Sequence, residues 1–286
     1  MDNILEIKNL KKSYKDFTLD NLTFNVERGS VMGFIGPNGS GKSTTIKLIM
    51  NLIKKDSGDI TAFGLDNLNH NKEIKQKIGF VYDENYFYEE LNIIEMKNIL
   101  RPFYKNWNDT LFEKYIKEFE LPKKNKIKTL SKGMKMKLSL ALALSHNAEL
   151  IIMDEPTAGL DPVFRSELLD ILYSIIQDEN VSIFFSTHIT TDLEKIADYI
   201  TFINKGKLVF SQTKDEIVEN YGLVKGRKEL LDNDTRRGFV SIKETNFGFE
   251  ALTKDITRAR KIFTGRGIIE KASLEDIMVY TVRGNI

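Results

Sequence analysis

The chain has 286 residues, of which 41% are hydrophobic and 29% are charged, and its 42 basic and 41 acidic residues leave a net charge of +1. This near balance argues against a protein whose main task is to coat nucleic acid through a broad basic surface, so we expect no nucleic-acid partner. The chain contains no Cys, which excludes disulfides, thiolate metal sites and Cys nucleophiles.

The hydrophobic residues form no run long enough for a membrane span, which needs about 20 consecutive apolar residues. The best run, LSLALAL at residues 138–144, is far too short. The N-terminal sequence MDNILEIKNLKK lacks the apolar segment of a signal peptide. We therefore expect a soluble, cytoplasmic chain, which would need a separate anchor to work at a membrane.

The first fifty residues predict the beginning of an α/β unit. Residues 4–10 and 17–26 alternate imperfectly between apolar and polar, as half-buried antiparallel strands do. Residues 31–36 form a short apolar run of strand length, a glycine-rich turn follows, and residues 43–53 have the periodicity of a buried helix. The order strand, glycine loop, helix is typical of α/β proteins.

Three further apolar runs predict strands at residues 78–82, 150–153 and 181–185. Helical stretches separate them, which indicates a mostly parallel core sheet covered on both faces. Residues 199–212 predict a hairpin that turns at Asn204, Lys205 and Gly206.

The middle and the end of the chain predict two additions to this α/β core. Nine aromatic residues, including the only Trp, lie between Tyr86 and Phe119, and we interpret residues 84–145 as an inserted helical subdomain. From residue 222 the pattern becomes that of a small α+β appendage, which ends in a helix with a capping-box start at Ser273. The predicted domains are therefore residues 1–221 and 222–286.

Residues 36–44 match the phosphate-loop pattern G-x-x-x-x-G-K-[ST]. The glycines allow backbone N–H groups to surround a di- or triphosphate, the helix N-terminus adds partial positive charge, and the lysine reaches the β- and γ-phosphates. The strand before the loop and the helix after it argue against a chance match. The predicted nucleotide-binding residues are Gly36, Pro37, Asn38, Gly39, Ser40, Gly41, Lys42, Ser43 and Thr44, with the Ser43 hydroxyl placed for Mg²⁺.

A second motif is the strand LIIM followed by Asp154 and Glu155. Asp154, at the C-terminal end of the strand and beside the phosphate loop, is predicted to bind Mg²⁺. Glu155 is predicted to polarise or deprotonate the attacking water. Two carboxylates after a strand are common by chance, and they gain meaning only together with the phosphate loop.

The order of four motifs resembles the ATP-binding subunit of an ABC transporter, over about residues 3 to 220. GPNGSGKST is followed by L-S-x-G in the segment beginning at Thr129, by LIIMDEPTAGLD, and by a strand that ends in Ser-Thr-His188. The resemblance implies a P-loop NTPase fold of the ABC-ATPase type and hydrolysis of ATP with Mg²⁺. It also implies a head-to-tail dimer in which each subunit completes the other's site.

Several roles follow only from this resemblance. Ser131 and the backbone of Gly133 would contact the γ-phosphate bound at the partner's Lys42. The loop at residues 158–161 would link the two sites, and His188 would contact the γ-phosphate. Tyr14 matches the aromatic residue that stacks on adenine, although a Tyr at this position is also compatible with simple strand packing.

The chain departs from the family pattern at two places. Asp83 stands where the family usually has Gln, which contacts Mg²⁺ and the attacking water. A carboxylate also binds Mg²⁺, so we predict Asp83 as a catalytic and metal-binding residue with altered metal or nucleotide preference. The signature reads LSKGM where LSGGQ is commonest. Lys132 either adds charge near the γ-phosphate or points to solvent, and we favour solvent.

Seven Lys and no acidic residue lie between residues 123 and 137, which we call the lysine-rich segment. The segment either attracts nucleotide phosphate or anionic lipid headgroups, or it forms a solvated surface, which we favour.

The leading functional hypothesis is an ATPase subunit that drives a separate membrane permease, to which it binds on the cytoplasmic face. The C-terminal sequence SLEDIMVYTVRG resembles the tails of ATPases that serve bacterial exporters of drugs, peptide antibiotics or lantibiotics. The resemblance leaves open whether the second ATPase subunit is identical or paralogous. A soluble ABC ATPase or a nucleotide-dependent regulator without transport is the alternative.

Overall fold

The structure, a computed structural model, describes residues 2–82 and 87–284. The chain divides into two compact units. The first unit comprises Met1–Ile189 and Lys195–Ser211, and the second comprises Thr190–Glu194 and Gln212–Ile286.

The first unit contains two sheets. A four-stranded sheet has the order β2-β1-β4-β5, and a six-stranded sheet has the order β10-β9-β3-β8-β7-β6. The strands are β1 (Asn3–Ser13), β2 (Thr18–Glu27), β3 (Val31–Ile35), β4 (Ser57–Ala62), β5 (Leu65–Asp66), β6 (Ile78–Val81), β7 (Leu150–Asp154), β8 (Ser182–Thr187), β9 (Tyr199–Asn204) and β10 (Lys207–Thr213). The first sheet is antiparallel, whereas β3, β6, β7, β8 and β9 pair in parallel.

Helices cover the sheets and connect the strands. They are α1 (Lys42–Ile49), α2 (Asn71–Lys77), α3 (Ile93–Leu100), α4 (Asp109–Glu118), α5 (Lys132–Leu144), α6 (Pro162–Ile175) and α7 (Thr190–Ile196), with 3₁₀ turns at Arg101–Phe103 and Ile127–Thr129. The predicted α/β class, with antiparallel N-terminal strands and a mostly parallel core sheet, is confirmed.

The centre of the parallel sheet explains the apolar runs of the sequence. Every residue of β3, β7 and β8 is buried, because helices lie on both faces of a parallel sheet. The three strands are aligned so that Ile35 pairs with Thr187 and Asp154 pairs with Ser186. Their C-terminal ends therefore lie side by side at one edge of the sheet.

Aromatic rings join the two sheets of the first unit. Phe24 of the antiparallel sheet stacks on Phe34 and Phe184 of the parallel sheet, with ring centroids 5.4 Å and 6.0 Å apart. Phe34 and Phe184 are 5.2 Å apart and are completely buried. Aromatic contacts of this kind stabilise a core beyond the area that they bury.

The predicted hairpin is confirmed. β9 and β10 are joined by Lys205 and Gly206, whose φ angles of 47° and 75° are both positive, as a type I′ turn requires. A Cβ on Gly206 would lie 1.9 Å from the Thr18 oxygen, so position 206 has no room for a side chain. The sequence analysis did not predict the short strands β4 and β5.

The aromatic segment forms helices, as predicted, and part of it forms their packing. Trp107 donates from its indole N–H to Asp109, at 3.1 Å, and its ring lies 5.8 Å from that of Phe112 on α4. Phe112 is completely buried. In contrast, Phe103 and Tyr88 expose 69% and 65% of their surface, so the segment also presents aromatic side chains to solvent.

The second unit contains an antiparallel four-stranded sheet of order β12-β13-β11-β14. Its elements are α8 (Lys214–Asn220), β11 (Gly222–Gly226), α9 (Asn233–Arg237), β12 (Phe239–Thr245), β13 (Gly248–Thr253), α10 (Ile256–Phe263), β14 (Gly267–Lys271) and α11 (Leu274–Arg283), with a 3₁₀ turn at Lys228–Leu230. Phe249 and Phe263 are central to its core. The capping box predicted at Ser273 is confirmed, with Asp276 as its second member.

Among the residues that the structure describes, no helix is long and apolar enough to cross a lipid bilayer.

Within the first unit, a buried histidine connects the segment after α5 to the turn before α4. The His146 ring is stacked on Tyr104 at 3.9 Å and 10°, and its Nδ1 donates to the backbone oxygen of Gln76 at 3.2 Å. The side chain of Gln76 in turn binds the Phe103 oxygen and the Lys105 N–H group. Burial lowers the pKa of His146 to about 4, because the charged imidazolium is costly to bury.

This depressed pKa predicts a loss of stability in acid. Between pH 6.5 and 4 the unfolded chain protonates His146 and the folded chain does not, so falling pH favours unfolding. The loss amounts to about 3 kcal/mol by pH 4. Replacing the titrating ring in His146→Gln should remove this part of the pH dependence. The measurement is urea unfolding followed by Trp107 fluorescence at pH 7 and pH 4.5, with both proteins compared so that shared carboxylate titration cancels. Equal pH dependence of the two proteins would contradict the prediction.

Candidate functional site

The phosphate loop folds tightly between β3 and α1. Gly39 and Gly41 have φ angles of 76° and 113°, which favour glycine. A Cβ on Gly36 would lie 2.2 Å from the Ile203 oxygen, so only glycine fits there. The Ser40 oxygen accepts from the Gly206 N–H group at 2.9 Å, which fixes the loop to the β9–β10 turn. The conformation and close packing of the backbone therefore require glycine at these positions of the loop.

Lys42 begins α1 and is turned into the loop. Its side chain is only 6% exposed, and its Nζ donates to the backbone oxygen of Gly36 at 2.8 Å. It also forms an ion pair with Glu155 Oε1 at 3.1 Å. No side chain caps the N-terminus of α1, which leaves the first backbone N–H groups of this helix directed at the loop, as in anion sites at helix N-termini.

The two predicted carboxylates have different environments. Asp154 is buried, and its Oδ1 accepts from the Ser186 hydroxyl at 2.6 Å. Glu155 has a φ of 48°, a left-handed conformation that is uncommon outside glycine and recurs at functional sites. The Glu155 N–H group donates to the Ser186 oxygen at 3.0 Å, so β8 holds both acidic residues in place.

His188 follows β8 and contacts Glu155 directly. Its Nδ1 lies 2.8 Å from Glu155 Oε2, and its backbone N–H group donates to the same oxygen at 3.2 Å. Glu155 is therefore held on one oxygen by Lys42 and on the other by His188. The structure brings together three of the predicted catalytic residues, which are distant in the sequence.

These groups line an open pocket of about 650 Å³. The residues that line it are Asp16, Phe17, Asn38, Gly39, Gly41, Lys42, Ser43, Thr44, Glu155, Ala158 and His188. Asp16 and Phe17 are not among the residues predicted from the sequence, and Ala158 was not predicted to line this chain's own pocket. Tyr14 does not line it, and its exposed ring is instead approached by Lys12 Nζ at 5.6 Å. An aromatic residue close to Tyr14 was the available signal for Phe17.

The signature residues do not line this pocket. Ser131 caps α5, and its Oγ accepts from the Met134 N–H group at 3.2 Å. Gly133 is buried against Phe164, whose ring atoms would lie 2.8 Å from a Cβ at this position. Lys132 is exposed, as we expected, but its ammonium group donates to the Ala158 oxygen at 2.6 Å.

The metal-binding predictions concern Ser43, Asp154 and Asp83. Asp83 lies outside the described residues, so its predicted roles stay predictions. Within the described ranges, no group of three His, Asp or Glu side chains is arranged to hold a metal ion. Mg²⁺ usually binds one or two carboxylates together with substrate phosphates and water. Ser43 lines the pocket, whereas Asp154 is buried directly before the pocket residue Glu155, and a hydroxyl and a single carboxylate are ligands of the kind that such a site uses.

The lysine-rich segment is largely paired with carboxylates. Lys126 and Lys128 both contact Glu90, at 3.0 Å and 2.7 Å. These two lysines, Lys128 first, lower the pKa of Glu90 to about 2. Other lysines of the segment pair with Glu113, Glu89 and Glu167. Five of the seven lysines are thus paired with four carboxylates, in line with the solvated alternative that we favoured.

Together, the parallel sheet, the phosphate loop and the two acidic residues after β7 define a P-loop nucleoside triphosphatase. The site combines a glycine loop, a buried lysine and a carboxylate that contacts both this lysine and His188. These are the components that phosphoryl transfer to water requires.

Comparison with known proteins identifies the family. The family profile described as "ABC transporter" matches residues 19–158, and one described as "AAA domain, putative AbiEii toxin, Type IV TA system" matches residues 126–191. The bacitracin transport ATP-binding protein BcrA of Bacillus licheniformis is 36% identical over 99% of this chain and 99% of its own length. The lantibiotic transport ATP-binding protein SrtF of Streptococcus pyogenes is 35% identical over 74% of this chain and 92% of its own.

Solved structures agree with this result. The ATP-binding subunit of an ABC transporter has a TM-score of 0.68 and 29% identity, covering 75% of this chain and 91% of that one. The cassette MJ0796, described as a post-hydrolysis dimer with ADP and Pi, shares the fold with a TM-score of 0.65 at 23% identity, covering 73% of this chain and 98% of that one. The chain belongs to the family of ABC transporter ATP-binding proteins and is an ATPase of that family.

The geometry of the phosphate loop generates a first test. In Gly36→Ala the new methyl group collides with the Ile203 oxygen and with Ser40 Oγ, at 2.2 Å and 2.6 Å, so the loop must move. We expect ATP affinity to fall about 100-fold or more, the loss of roughly two charge-assisted phosphate contacts. The measurement is titration calorimetry with ATP.

The control is Gly64→Ala, where φ is positive but no atom lies within 4 Å of the added Cβ, so the new methyl group collides with nothing. This variant should bind ATP normally despite a small backbone strain. ATP affinity that is equal in both variants and the parent chain would show that the packed Gly36 does not shape the nucleotide site.

Proposed function

We propose that the chain is the ATP-hydrolysing subunit of an ABC exporter, bound to a separate permease on the cytoplasmic face of the membrane. The observation that carries the catalytic part is the convergence of Lys42, Glu155 and His188 on one pocket. The transport part is supported by the similarity to BcrA, which extends over 99% of both chains and so includes the second unit. The names of BcrA and SrtF suggest a peptide antibiotic as the class of cargo.

In this proposal the phosphate loop binds the triphosphate of ATP. The backbone N–H groups at the start of α1 and the Lys42 ammonium group neutralise the charge of the phosphates. Donors that are already in position stabilise such charge most effectively. The residues predicted to bind the nucleotide are those of the loop, residues 36–44. Phe17 lines the same pocket and offers an apolar surface to the rest of the nucleotide, together with or instead of Tyr14.

Hydrolysis then depends on Glu155. The oxygen of a water molecule forms a bond to the γ-phosphorus while the bond from that phosphorus to the bridging oxygen breaks. Glu155 accepts the proton of this water, which is general base catalysis. The two contacts from His188 fix the direction of the carboxylate, and its exposed ring is free to contact the γ-phosphate as the family resemblance implies.

The residues present fit Mg²⁺ as the metal cofactor. Ser43 and Asp154 would hold it, with Asp83 as a further predicted ligand. When bound, Mg²⁺ neutralises charge on the β- and γ-phosphates. The hydrogen bond from Ser186 fixes the orientation of the Asp154 carboxylate, a support that residues around metal ligands commonly give.

A second ATP-binding subunit, identical or paralogous, would complete the site. Ser131 is exposed at the N-terminus of α5, and neither Ser131 nor Gly133 lines the pocket of its own chain. A head-to-tail partner would use this helix start to contact the γ-phosphate, since helix N-termini bind anions.

The permease is proposed to bind at a separate groove of the first unit. A pocket of about 820 Å³ is lined by α2 residues from Lys72 to Lys77 and by residues 103–106. Phe103 is 69% exposed there, and exposed aromatic residues are favoured at protein interfaces. We propose that residues 222–286 form an accessory domain with a regulatory role or a dimer contact.

The catalytic assignment is tested by Glu155→Gln, which removes the base but keeps the shape of the side chain. We expect ATP turnover to fall by about 100-fold or more, while ATP affinity is retained because Lys42 and the loop remain. Phosphate release measures the rate, and size-exclusion chromatography with ATP should show an accumulated dimer. The control is Glu113, an exposed residue that pairs with Lys123, since Glu113→Gln should leave turnover unchanged. A normal rate in Glu155→Gln would exclude Glu155 as the base.

The metal assignment is tested with two serines of the same buried strand. Ser186→Ala removes the hydrogen bond to Asp154, and we expect the Mg²⁺ concentration for half-maximal turnover to rise by about tenfold. Ser182 is equally buried, but its Oγ accepts from the Gly29 N–H group at 2.9 Å. Ser182→Ala should therefore lower stability without changing the Mg²⁺ requirement. The same Mg²⁺ dependence in both variants would argue against Asp154 as a metal-binding residue.

A further inference from the structure

Lys132 connects two loops of the first unit that belong to different parts of the proposed site. We call residues 131–133, which are the N-cap and the first two residues of α5, the signature loop, and residues 158–161 the linking loop. The Lys132 Nζ donates a hydrogen bond of 2.6 Å to the Ala158 backbone oxygen. It also lies 2.9 Å from where a Cβ on Gly159 would be, so the glycine leaves the approach to this carbonyl open.

Each loop contains the N-cap residue of a helix, α5 for the signature loop and α6 for the linking loop. Ser131 caps α5, as described above, and Asp161 caps α6 by accepting from the Phe164 N–H group at 3.0 Å. The Phe164 ring packs directly on Gly133. The two caps and the contact between Phe164 and Gly133 thus hold the N-termini of α5 and α6 at a fixed separation. Lys132 therefore connects two segments that are each held in place.

The partner of Lys132 distinguishes it from its neighbours in the lysine-rich segment. Lys135 and Lys137 pair with Glu89 and Glu167, whereas Lys132 forms no ion pair with any carboxylate of the described residues. Its full charge is directed at the dipole of a backbone carbonyl. Hydrogen bonds from a charged donor are shorter and stronger than neutral ones, which suits a contact that fixes loop geometry.

We propose that Lys132 is a positioning residue that ties the signature loop to the linking loop within one subunit. The proposal rests on the proposed function, in which the signature loop contacts the nucleotide of the partner. Ala158 lines this chain's own pocket. The lysine therefore connects the pocket for one nucleotide with the loop that serves the other, and its loss uncouples the two sites.

The contact itself is tested on the nucleotide-free chain by hydrogen exchange. Lys132→Met keeps the length of the side chain but removes the charged donor. We expect faster exchange of the Ala158 and Leu160 amides, which donate to the Glu155 and Thr157 oxygens. Lys132→Arg, which keeps a charged donor, and Lys135→Met, the control on the same helix, should exchange at the parent rate. Unchanged exchange in Lys132→Met would overturn the proposal independently of any ATPase result.

The consequence for function is tested by ATPase kinetics. We expect Lys132→Met to lower kcat about fivefold or more and to bring the Hill coefficient for ATP towards unity, as a lost coupling between sites does. The KM for ATP should stay close to that of the parent chain, and Lys132→Arg should restore cooperativity. A raised KM with unchanged cooperativity would instead identify Lys132 as a phosphate contact and overturn the positioning role. A parent chain that neither hydrolyses ATP nor dimerises would contradict the proposed function, while the exchange experiment still decides the contact.

Discussion

The parallel alignment of β3, β7 and β8 is the constraint on which the rest of the first unit depends. Because these strands are buried on both faces, polar groups are excluded along most of their length and occur where the strands end. The alignment brings these ends to one edge of the sheet. The phosphate loop, the adjacent carboxylates Asp154 and Glu155, and His188 then lie together although these three parts of the site are distant in the sequence.

The features that could be predicted from the sequence are those written in short segments of it. Apolar runs predicted the buried strands, and the phosphate-loop pattern placed Lys42 correctly at the start of a helix. The capping box at Ser273 is equally local. The contacts that give the site its geometry are not local, because Glu155 and His188 are 33 positions apart and Lys132 and Ala158 are 26 apart. Phe17 lines the pocket and Tyr14 does not. This difference depends on the conformation of the chain between β1 and β2.

The balance of charge in the composition has a structural counterpart in the lysine-rich segment. Four acidic residues from outside the segment pair with five of its lysines, and Glu90 pairs with two of them. Exposed ion pairs of this kind contribute little stability each, but they remove a positive surface that would otherwise attract anions non-specifically. Lys132 donates to a backbone carbonyl and differs in this from the five ion-paired lysines of the segment.

The ion pair between Lys42 and Glu155 also has a thermodynamic consequence. A single ammonium group cannot satisfy a triphosphate and a carboxylate equally well, so an anion bound at Lys42 competes with Glu155 for it. By linkage, the free energy that separates these two groups is subtracted from the free energy of nucleotide binding. In the function that we propose, Lys42 is therefore the counter-ion of Glu155 while the phosphate loop holds no anion, and a bound nucleotide takes this counter-ion away. Nucleotide binding at the loop and loss of the Lys42–Glu155 ion pair are thus coupled in one equilibrium.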